Sequence, residues 1–424
     1  MNLFVNILLW VVYAVSLYFS VFLLLVYFDN RHFFKKEQSS LTPREEPIVS
    51  IIVPAYNEEK TILKTLRSIN NIDYPKEKLE VFVIDDGSKD NTKKIIKDYI
   101  KDKLQFKLIA HKNMGKAASM NKALTKANGK FFACLDADSF VDSKTLRKML
   151  SLYYKEDNPD LAIITPAMKV DKPKNLLQKV QWLEYLVIIL VARITSQLDS
   201  LYVAPGPFSL YRTDIIKKLG GFDPTNITED QEIAYRVQKN NYQIKQCFDG
   251  YVHTTAPRKL VPFYKQRRRW YLGSIRCVNQ YKSMIANKKY GDFGLMQMIK
   301  NVAGYLLAIT GIAVAIYLII LPALNWLKNL IVIKFNIFPY LANIKFDLSL
   351  LNLLLIDFRK SFLIIFIFMV GFFFFYQAHR NANEKMTKMG FIPLIPYFIF
   401  YYLLKGIILL LSLFEFTRGR KLKW

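Results

Sequence analysis

Two stretches with the same pattern decide the fold. Leu79–Ser88, LEVFVIDDGS, and Lys130–Ser139, KFFACLDADS, each begin as a short apolar run and end in a pair of carboxylates. Runs of this length, rich in β-branched and aromatic residues, predict buried strands. Ligands of open α/β sheets bind beyond the carboxyl ends of the strands, so both acidic pairs are expected at the ligand-binding edge.

The surrounding chain alternates predicted strands with predicted helices. Apolar runs before and after the first stretch predict two further strands, and the spacing of Ile62, Leu66 and Ile69 predicts an intervening helix. Such alternation is typical of an α/β domain with a mostly parallel sheet and right-handed crossovers. We place this domain at residues 49–255, after a polar, proline-containing linker at residues 30–48.

The composition places this domain at a membrane. The 424 residues include 60 Lys and Arg against 34 Asp and Glu, a net charge of +26, with 52% hydrophobic residues. A soluble nucleic-acid-binding protein would have fewer apolar runs, so we expect no nucleic-acid partner. Basic charge beside long apolar segments fits an integral membrane protein in contact with anionic membrane lipids. The three cysteines lie far apart and support neither a disulfide framework nor a zinc site.

Apolar segments at both ends of the chain are long enough to cross a bilayer, which takes about 20 helical residues. The first is residues 1–29. Arg31, Lys35 and Lys36 follow it and predict, by the positive-inside rule, that the α/β domain is cytoplasmic. About three more spans fall within residues 300–424. Four spans would put the basic C-terminal end outside, against the same rule, so the side of the C-terminus stays open.

Other apolar segments carry charges that a membrane interior does not tolerate. Residues 175–199 contain Glu184, and we expect them, like residues 256–299 and 330–358, to lie at the membrane surface. Lys405 lies inside the last predicted span. Its amino group could reach lipid phosphates by snorkelling, or it could face a polar path.

A candidate metal site lies at the end of the second stretch, where Asp136 and Asp138 are separated by one residue. Alternate side chains of a strand leave the same face, so both carboxylates would converge on one point. A cation would relieve their repulsion, and hard oxygen ligands favour Mg²⁺ or Mn²⁺, which could bind a diphosphate. The alternative is an exposed turn whose acids bind nothing.

Further polar residues fall at predicted strand or helix ends. Asp85 and Asp86 could accept hydrogen bonds from a ribose or a base, or they could belong to an ordinary strand-to-helix turn. Lys116 follows a glycine at a predicted helix start, which suits a phosphate, although a lone lysine is typically solvated. Glu229 and Asp230 open a helix: one could be a general base, or both could serve only the helix start, with the preceding threonine as cap.

Seven short motifs occur in a fixed order between residues 47 and 275. They are PAYNEE, DDGS, GKA, DAD, PGPFSLYR, TED and QRRRW. Together they resemble the motifs of membrane-embedded processive family-2 glycosyltransferases, the group of cellulose, chitin-oligosaccharide, poly-N-acetylglucosamine and hyaluronan synthases. The resemblance covers the predicted α/β domain and the pattern of flanking spans.

This resemblance implies both a fold and a reaction. The fold would be a GT-A-like domain that binds a nucleotide-diphospho-sugar, flanked by transmembrane and interfacial helices. The reaction would be an inverting, metal-dependent transfer of sugar from a nucleotide-diphosphate donor, expected to be a UDP-sugar, to a growing polysaccharide that is exported. The acceptor would be a glycan or a lipid-linked glycan.

The resemblance also implies a role for each matching residue. Nucleotide-sugar binding falls to Tyr56, Glu58, Asp85, Asp86, Lys116, Asp136, Gln266 and Arg269. Metal binding falls to Asp138, helped by Asp136, and the ion would be Mg²⁺ or Mn²⁺. Asp230 would be the general base, next to Glu229, and contact with the acceptor falls to Trp270, Gly206 and Arg212.

The last motif lies on a predicted helix with two faces. Gln266, Arg269 and Trp270 share one face by helical spacing, and this face is expected to meet sugar and diphosphate. The other face, which includes Arg267 and Leu272, is expected to meet lipid headgroups.

Two alternative functions stay open. One is a single-addition transferase that moves a sugar onto a polyprenyl phosphate or membrane lipid. The other is a non-enzymatic membrane scaffold or nucleic-acid binder, for which the acidic motifs would have no catalytic use. The motifs do not select the sugar, because that choice depends on the shape of a pocket built from residues distant in sequence.

Overall fold

The computed structural model describes residues 3–34, 43–332 and 357–419. Lys35 and Lys36, used above to orient the first span, lie outside the described residues. So do residues 35–42 of the predicted linker, most of the predicted interfacial segment 330–358, and residues 420–424 of the basic C-terminal end.

The helices begin and end as follows: α1 Leu3–Asp29, α2 Ile62–Asn70, α3 Thr92–Ile100, α4 Lys116–Leu124, α5 Thr145–Glu156, α6 Leu176–Gln197, α7 Thr213–Lys218, α8 Glu229–Lys239, α9 Leu260–Gln280, α10 Phe293–Val332, α11 Phe358–Asn381 and α12 Leu394–Thr417. The strands are β1 Val49–Ala55, β2 Leu79–Asp85, β3 Phe106–Ala110, β4 Phe131–Cys134, β5 Phe140–Val141, β6 Leu161–Val170, β7 Leu210–Arg212 and β8 Gln243–Thr254.

The chain divides into two compact units, and the one formed by Asn30–Asn301 with Tyr376–Trp424 contains the sheet. Its strand order is β3-β2-β1-β4-β7-β6-β8-β5. β1 is parallel to β2 and β4, β2 to β3, and β6 to β8. β7 is antiparallel to β4 and β6, and β5 to β8. The predicted mostly parallel sheet is confirmed, and β5 and β7 make it a mixed one.

The central strand β1 explains why the first half of the domain is apolar along whole strands. Ile51 and Val53 belong to one buried cluster, together with Leu66 of α2. Ile52 belongs to the other cluster, together with Ala123 of α4. Because successive side chains of a strand point to opposite faces, a strand covered on both sides has no polar face to expose.

Four helices of the described residues are long and apolar enough to cross a membrane: α1, α10, α11 and α12. They coincide with the four spans that the sequence predicts. Four such helices are typical of an integral membrane protein. Within the unit formed by Met1–Asp29 and Val302–Phe375, α1 contacts α11 through the rings of Tyr27 and Phe373, whose centroids are 5.4 Å apart.

Helix α6 is more deeply packed than the prediction of a surface helix implied. It lies against β6 and β8, and most of its residues are buried, including Trp182, Glu184 and Leu190. Ile188 remains exposed. The helix is therefore part of the core of its unit, and only a limited face is left for contact with a membrane.

Candidate active site

The carboxyl ends of β1, β2 and β4 meet at one edge of the sheet. The strands are parallel, with Ala55 of β1 next to Asp85 of β2 and Ile52 of β1 next to Cys134 of β4. Asp136 follows β4 by two residues, so both acidic pairs lie at this edge, as expected.

Lys116 lies at the centre of the site. Its Nζ atom is 2.6 Å from Asp136 Oδ1 and 2.7 Å from Glu229 Oε1. Glu229 is buried at the start of α8, whereas Lys116 begins α4 directly after Gly115, whose φ of 87° suits glycine. Burial disfavours the charged amine, but Asp136 and Glu229 outweigh it and raise the pKa of Lys116. The lysine is therefore fully charged and holds three separate motifs together.

Gly206 completes this cluster because a side chain there would collide with it. A Cβ atom at Gly206 would lie 3.0 Å from Lys116 Nζ and 3.2 Å from Asp136 Oδ2. Such spacing is tighter than an ordinary van der Waals contact. Its motif, PGPFSLYR, thus lies with its backbone directly over the charged pair.

Two carboxyl groups of the site have raised pKa values. Burial, reinforced by Glu229, raises the pKa of Asp230 to about 6, although Lys116 and Arg269 oppose the shift. Burial and the neighbouring Asp136 raise the pKa of Asp138 to about 6. Groups with such values change protonation near neutral pH, which suits a general base or a site awaiting a cation.

Asp136 and Asp138 fit a divalent cation shared with a phosphate-bearing ligand. The described residues hold no group of three or more His, Cys, Asp and Glu side chains arranged for a metal, so no all-protein cage is present in those ranges. Mg²⁺ typically binds to one or two carboxylates and completes its shell with water and substrate phosphates. The donor set here is of that kind.

Asp86 positions the loop that leads to Lys116. Its carboxylate accepts hydrogen bonds from the backbone N–H groups of Met114 (2.8 Å) and Gly115 (3.0 Å). Gly87 has φ 78°, and a Cβ atom there would lie 2.7 Å from the backbone nitrogen of Asn113. The turn formed by the DDGS motif therefore packs against this loop. A contact between Asp86 and a nucleotide stays a prediction.

The remaining predicted nucleotide-binding residues lie nearby on the loop after β1. Tyr56 is exposed, which leaves its ring open to a ligand. Glu58 accepts a hydrogen bond from the Thr61 hydroxyl at 2.5 Å. Burial raises the pKa of Glu58, and the charge of Asp136 adds to this shift. Their roles in binding stay predictions.

The comparison with known proteins identifies the domain. Residues 50–220 match the family described as Glycosyl transferase family 2. The chain carries a family-2 glycosyltransferase domain. The chain is 27% identical over 376 residues to the poly-beta-1,6-N-acetyl-D-glucosamine synthase of Staphylococcus epidermidis, covering 88% of this chain and 84% of the relative. It is 28% identical over 297 residues to the synthase of the same name from Staphylococcus aureus, covering 69% and 71%.

A solved structure shows the same fold. It is a mannosyltransferase from Pyrobaculum calidifontis in complex with GDP-Man and Mn²⁺, with a TM-score of 0.58 and 19% identity over 88% of this chain and 99% of that one. The glycosyltransferase domain described here is therefore of the GT-A type, as the sequence predicts.

Helix α9 of the glycosyltransferase lies against the residues that lead into α8, whose first turn contains Asp230. A Cβ atom at Gly273 would clash with the side chain of Thr228, and Arg269 Nη1 lies 3.5 Å from the carbonyl oxygen of Ile227. Gln266 Oε1 is buried and has no hydrogen-bond partner among the described residues. A buried acceptor without a donor fits a ligand hydroxyl or amide.

The helix start at α8 differs from the expected cap. The Thr228 side chain makes no capping hydrogen bond to α8; its hydroxyl donates to Asn226 Oδ1 at 3.2 Å. Asp230 Oδ1 accepts a hydrogen bond from the backbone N–H of Gln231 at 2.9 Å. Capping by Thr228 therefore does not account for the acids of this motif.

The expected lipid-facing side of α9 is wrong for Arg267 and Leu272, which are both buried. Arg267 Nη2 donates to Glu184 Oε2 at 2.5 Å, and Lys405 Nζ lies 2.7 Å from Glu184 Oε1. Lys405 therefore neither snorkels nor faces an open path, because it pairs with a buried carboxylate of α6. Sequence reasoning missed this network, although a charge of each sign inside apolar segments is a signal for such a pair.

Arg212 is not brought to the site. It ends β7, which is antiparallel to β4, and its register partner is Phe131 at the amino end of β4. Its guanidinium pairs with Asp214 and donates to the Tyr153 hydroxyl at 2.9 Å. Arg212 therefore does not join the Lys116 cluster, because the antiparallel direction of β7 carries its last residue to the opposite edge of the sheet. Its acceptor role stays a prediction that this position does not support.

Proposed function

We propose that this glycosyltransferase is an inverting, processive synthase that moves N-acetylglucosamine from UDP-N-acetylglucosamine to the growing end of a poly-β-1,6-N-acetylglucosamine chain. The observation that carries the proposal is the meeting of Lys116, Asp136, Glu229 and Asp230, from three separate motifs, at the carboxyl edge of the sheet. Similarity to the staphylococcal synthases over most of both chains supports the choice of sugar and linkage.

Asp230 acts as the general base. Its carboxylate takes the proton from the attacking acceptor hydroxyl, and the oxygen forms a bond to the anomeric carbon while the bond from that carbon to the diphosphate breaks. The electron pair leaves with UDP, and attack from the opposite face inverts the anomeric centre. A pKa near 6 leaves Asp230 largely ionised at neutral pH yet basic enough to accept the proton.

Lys116, Asp136 and Asp138 serve the leaving group. The Lys116 amine provides a fixed positive charge close to where the diphosphate charge develops. Asp136 and Asp138 would hold Mg²⁺ or Mn²⁺, which neutralises phosphate charge when bound. Repulsion between these two carboxylates supports such an ion.

Orientation and export belong to the same proposal. Arg31 after α1 supports a cytoplasmic catalytic domain, where nucleotide sugars are made, and α1, α10, α11 and α12 provide a membrane region through which the polymer would pass.

Purified protein in nanodiscs tests the proposal. With UDP-N-acetylglucosamine and Mn²⁺, it should release UDP and form a ladder of products, and UDP-glucose, UDP-glucuronic acid and GDP-mannose should be poor donors. Asp230→Asn should abolish the ladder, whereas Asp98→Asn, at an exposed residue of α3, should not. A single labelled product would indicate a single-addition transferase, and equal UDP release by Asp230→Asn would refute a transferase that uses this base.

A further inference from the structure

Arg267 is held between two aromatic rings on α9. Its guanidinium carbon lies 4.2 Å from the centroid of the Trp270 ring and 5.1 Å from that of Phe263. Arg267 follows Phe263 by four positions and precedes Trp270 by three, so the three side chains lie along one face of the helix. The guanidinium therefore lies within cation–π distance of Trp270, the predicted acceptor-stacking residue.

Charges from two other helices fix this guanidinium. Glu184 of α6 accepts from Arg267 at 2.5 Å, from the Tyr401 hydroxyl at 2.7 Å and from Lys405 at 2.7 Å. The side chains of Arg267 and Glu184 are only 3% and 7% exposed. Burial alone would raise the pKa of Glu184, but Arg267 and Lys405 lower it to about 2, so it stays ionised.

The pair has a feature that stability does not require. Arg267 Nε is buried and has no hydrogen-bond partner among the described residues. In native proteins such groups are rare and point to a strained or functional position. The adjacent residue, Gln266, also has an unpartnered buried oxygen. The ion pair with Glu184 therefore leaves part of the buried guanidinium unsatisfied, so stability alone does not explain why Arg267 is buried here.

The neighbouring arginine provides a contrast. Arg268 forms two hydrogen bonds through its Nε with Glu415, at 2.8 and 3.0 Å, and is much less buried. Like Arg267 it pairs with a carboxylate, here one of α12, but among the described residues it makes no ring contact with Trp270. Arg268 is therefore a matched control for the charge and the helix contact of Arg267 without its stacking.

We propose that Arg267, held by Glu184, which Lys405 of α12 fixes in turn, is a positioning residue that fixes the Trp270 ring for the acceptor sugar, so that membrane helix α12 forms part of the acceptor site. This inference rests on the proposed function, because it takes a sugar as the partner of Trp270. Arg267 acts through the tryptophan and not on the reacting atoms.

The Arg267→Lys substitution tests it, because lysine keeps the charge for Glu184 but lacks the planar group that stacks on an aromatic ring. We expect an unchanged melting temperature, and hydrolysis of UDP-N-acetylglucosamine by water, which needs no acceptor sugar, close to wild type. The KM for a β-1,6-linked N-acetylglucosamine oligomer should rise about tenfold, the scale of a buried cation–π contact, and products should be shorter. Arg268→Lys should leave KM and product length unchanged.

A second variant separates positioning from folding. In a Trp270→Ala background, Arg267→Lys should have no further effect on the acceptor KM, because the partner of the guanidinium is gone. Additive effects, an unchanged KM, or an equal loss of hydrolysis and elongation would each overturn the proposal. A wild-type protein that releases no UDP from any nucleotide sugar would instead refute the proposed function.

Discussion

Gly273 controls how closely α9 approaches the loop that ends at Thr228, directly before Glu229 and Asp230 at the start of α8. A Cβ atom at Gly273 would lie 2.7 Å from the Cβ of Thr228, and closer still to the hydroxyl and methyl groups of that side chain. Thr228 is buried, and its Cβ is attached directly to the backbone, so rotation of its side chain cannot relieve the contact. Gly273→Ala therefore has to move either the helix or the loop.

Two effects of opposite sign decide the stability of this variant. Alanine in a helix interior gains about 1 kcal/mol over glycine, whereas overpacking a buried contact costs about 1–3 kcal/mol. We expect a net loss of roughly 0–2 kcal/mol in the free energy of unfolding, toward the upper end because the contact is severe. The displaced loop also moves Asp230, and a shift of about 1 Å at a catalytic group can cost about a hundredfold in rate.

The assay is UDP release from UDP-N-acetylglucosamine, together with the melting temperature from tryptophan fluorescence. The control is Gly304→Ala in α10, where an added Cβ meets no atom within 4 Å and the helix should be as stable or more so. If Gly273→Ala has the melting temperature and the turnover rate of the wild-type enzyme, the close approach of α9 has no catalytic role. A large loss of rate at an almost unchanged melting temperature would most directly support the view that this approach positions Asp230.

Three further predictions follow from the site. Asp230 must be ionised to act as a base, and burial raises its pKa to about 6, so kcat/KM should rise with pH up to about 6 and then level off. A pH–rate profile without this acid limb would contradict the role of Asp230 as the base. Gly206→Ala should shift the Lys116 amine and the Asp136 carboxylate by a few tenths of an ångström, because the new Cβ would lie 3.0 Å from Nζ. The KM for the donor should rise, by up to about tenfold (~1.4 kcal/mol), and an unchanged KM would argue against this crowding. The pKa of Glu184, about 2 in the fold against about 4.5 unfolded, implies roughly 3 kcal/mol of stability that is present above pH ~4.5 and lost as the pH falls toward 2. Acid unfolding measured by fluorescence should show this loss in the wild type and not in Glu184→Gln; parallel curves would refute it.

The sequence by itself determined the local elements near the site. Strands such as LEVFVIDD and FFACLDAD are short, apolar on both faces and closed by carboxylates, so period and length alone predict them. The four spans follow from length and the scarcity of charge, since a bilayer core imposes one length on any helix that crosses it. Motif order was enough to predict the glycosyltransferase fold, because its motifs occupy strand and helix ends that recur in the same succession.

Only the tertiary structure decided which of the polar residues meet. Lys116 and Glu229 are more than a hundred positions apart, and their 2.7 Å contact depends on how α4 and α8 pack on the sheet. Arg212 shows the converse, because its motif reaches the site at Gly206 but the antiparallel direction of β7 carries its last residue away.

Helix α9 shows the same division within one motif. Helical spacing predicts that Gln266, Arg269 and Trp270 share a face, which is a local property. Where Arg267 lies is not local: it enters the interior because Glu184 of α6 provides its partner, and Lys405 of α12 pairs with the same carboxylate. A buried charge is stable only beside a partner, and that partner comes from elements far apart in sequence, so only the packed structure could assign it.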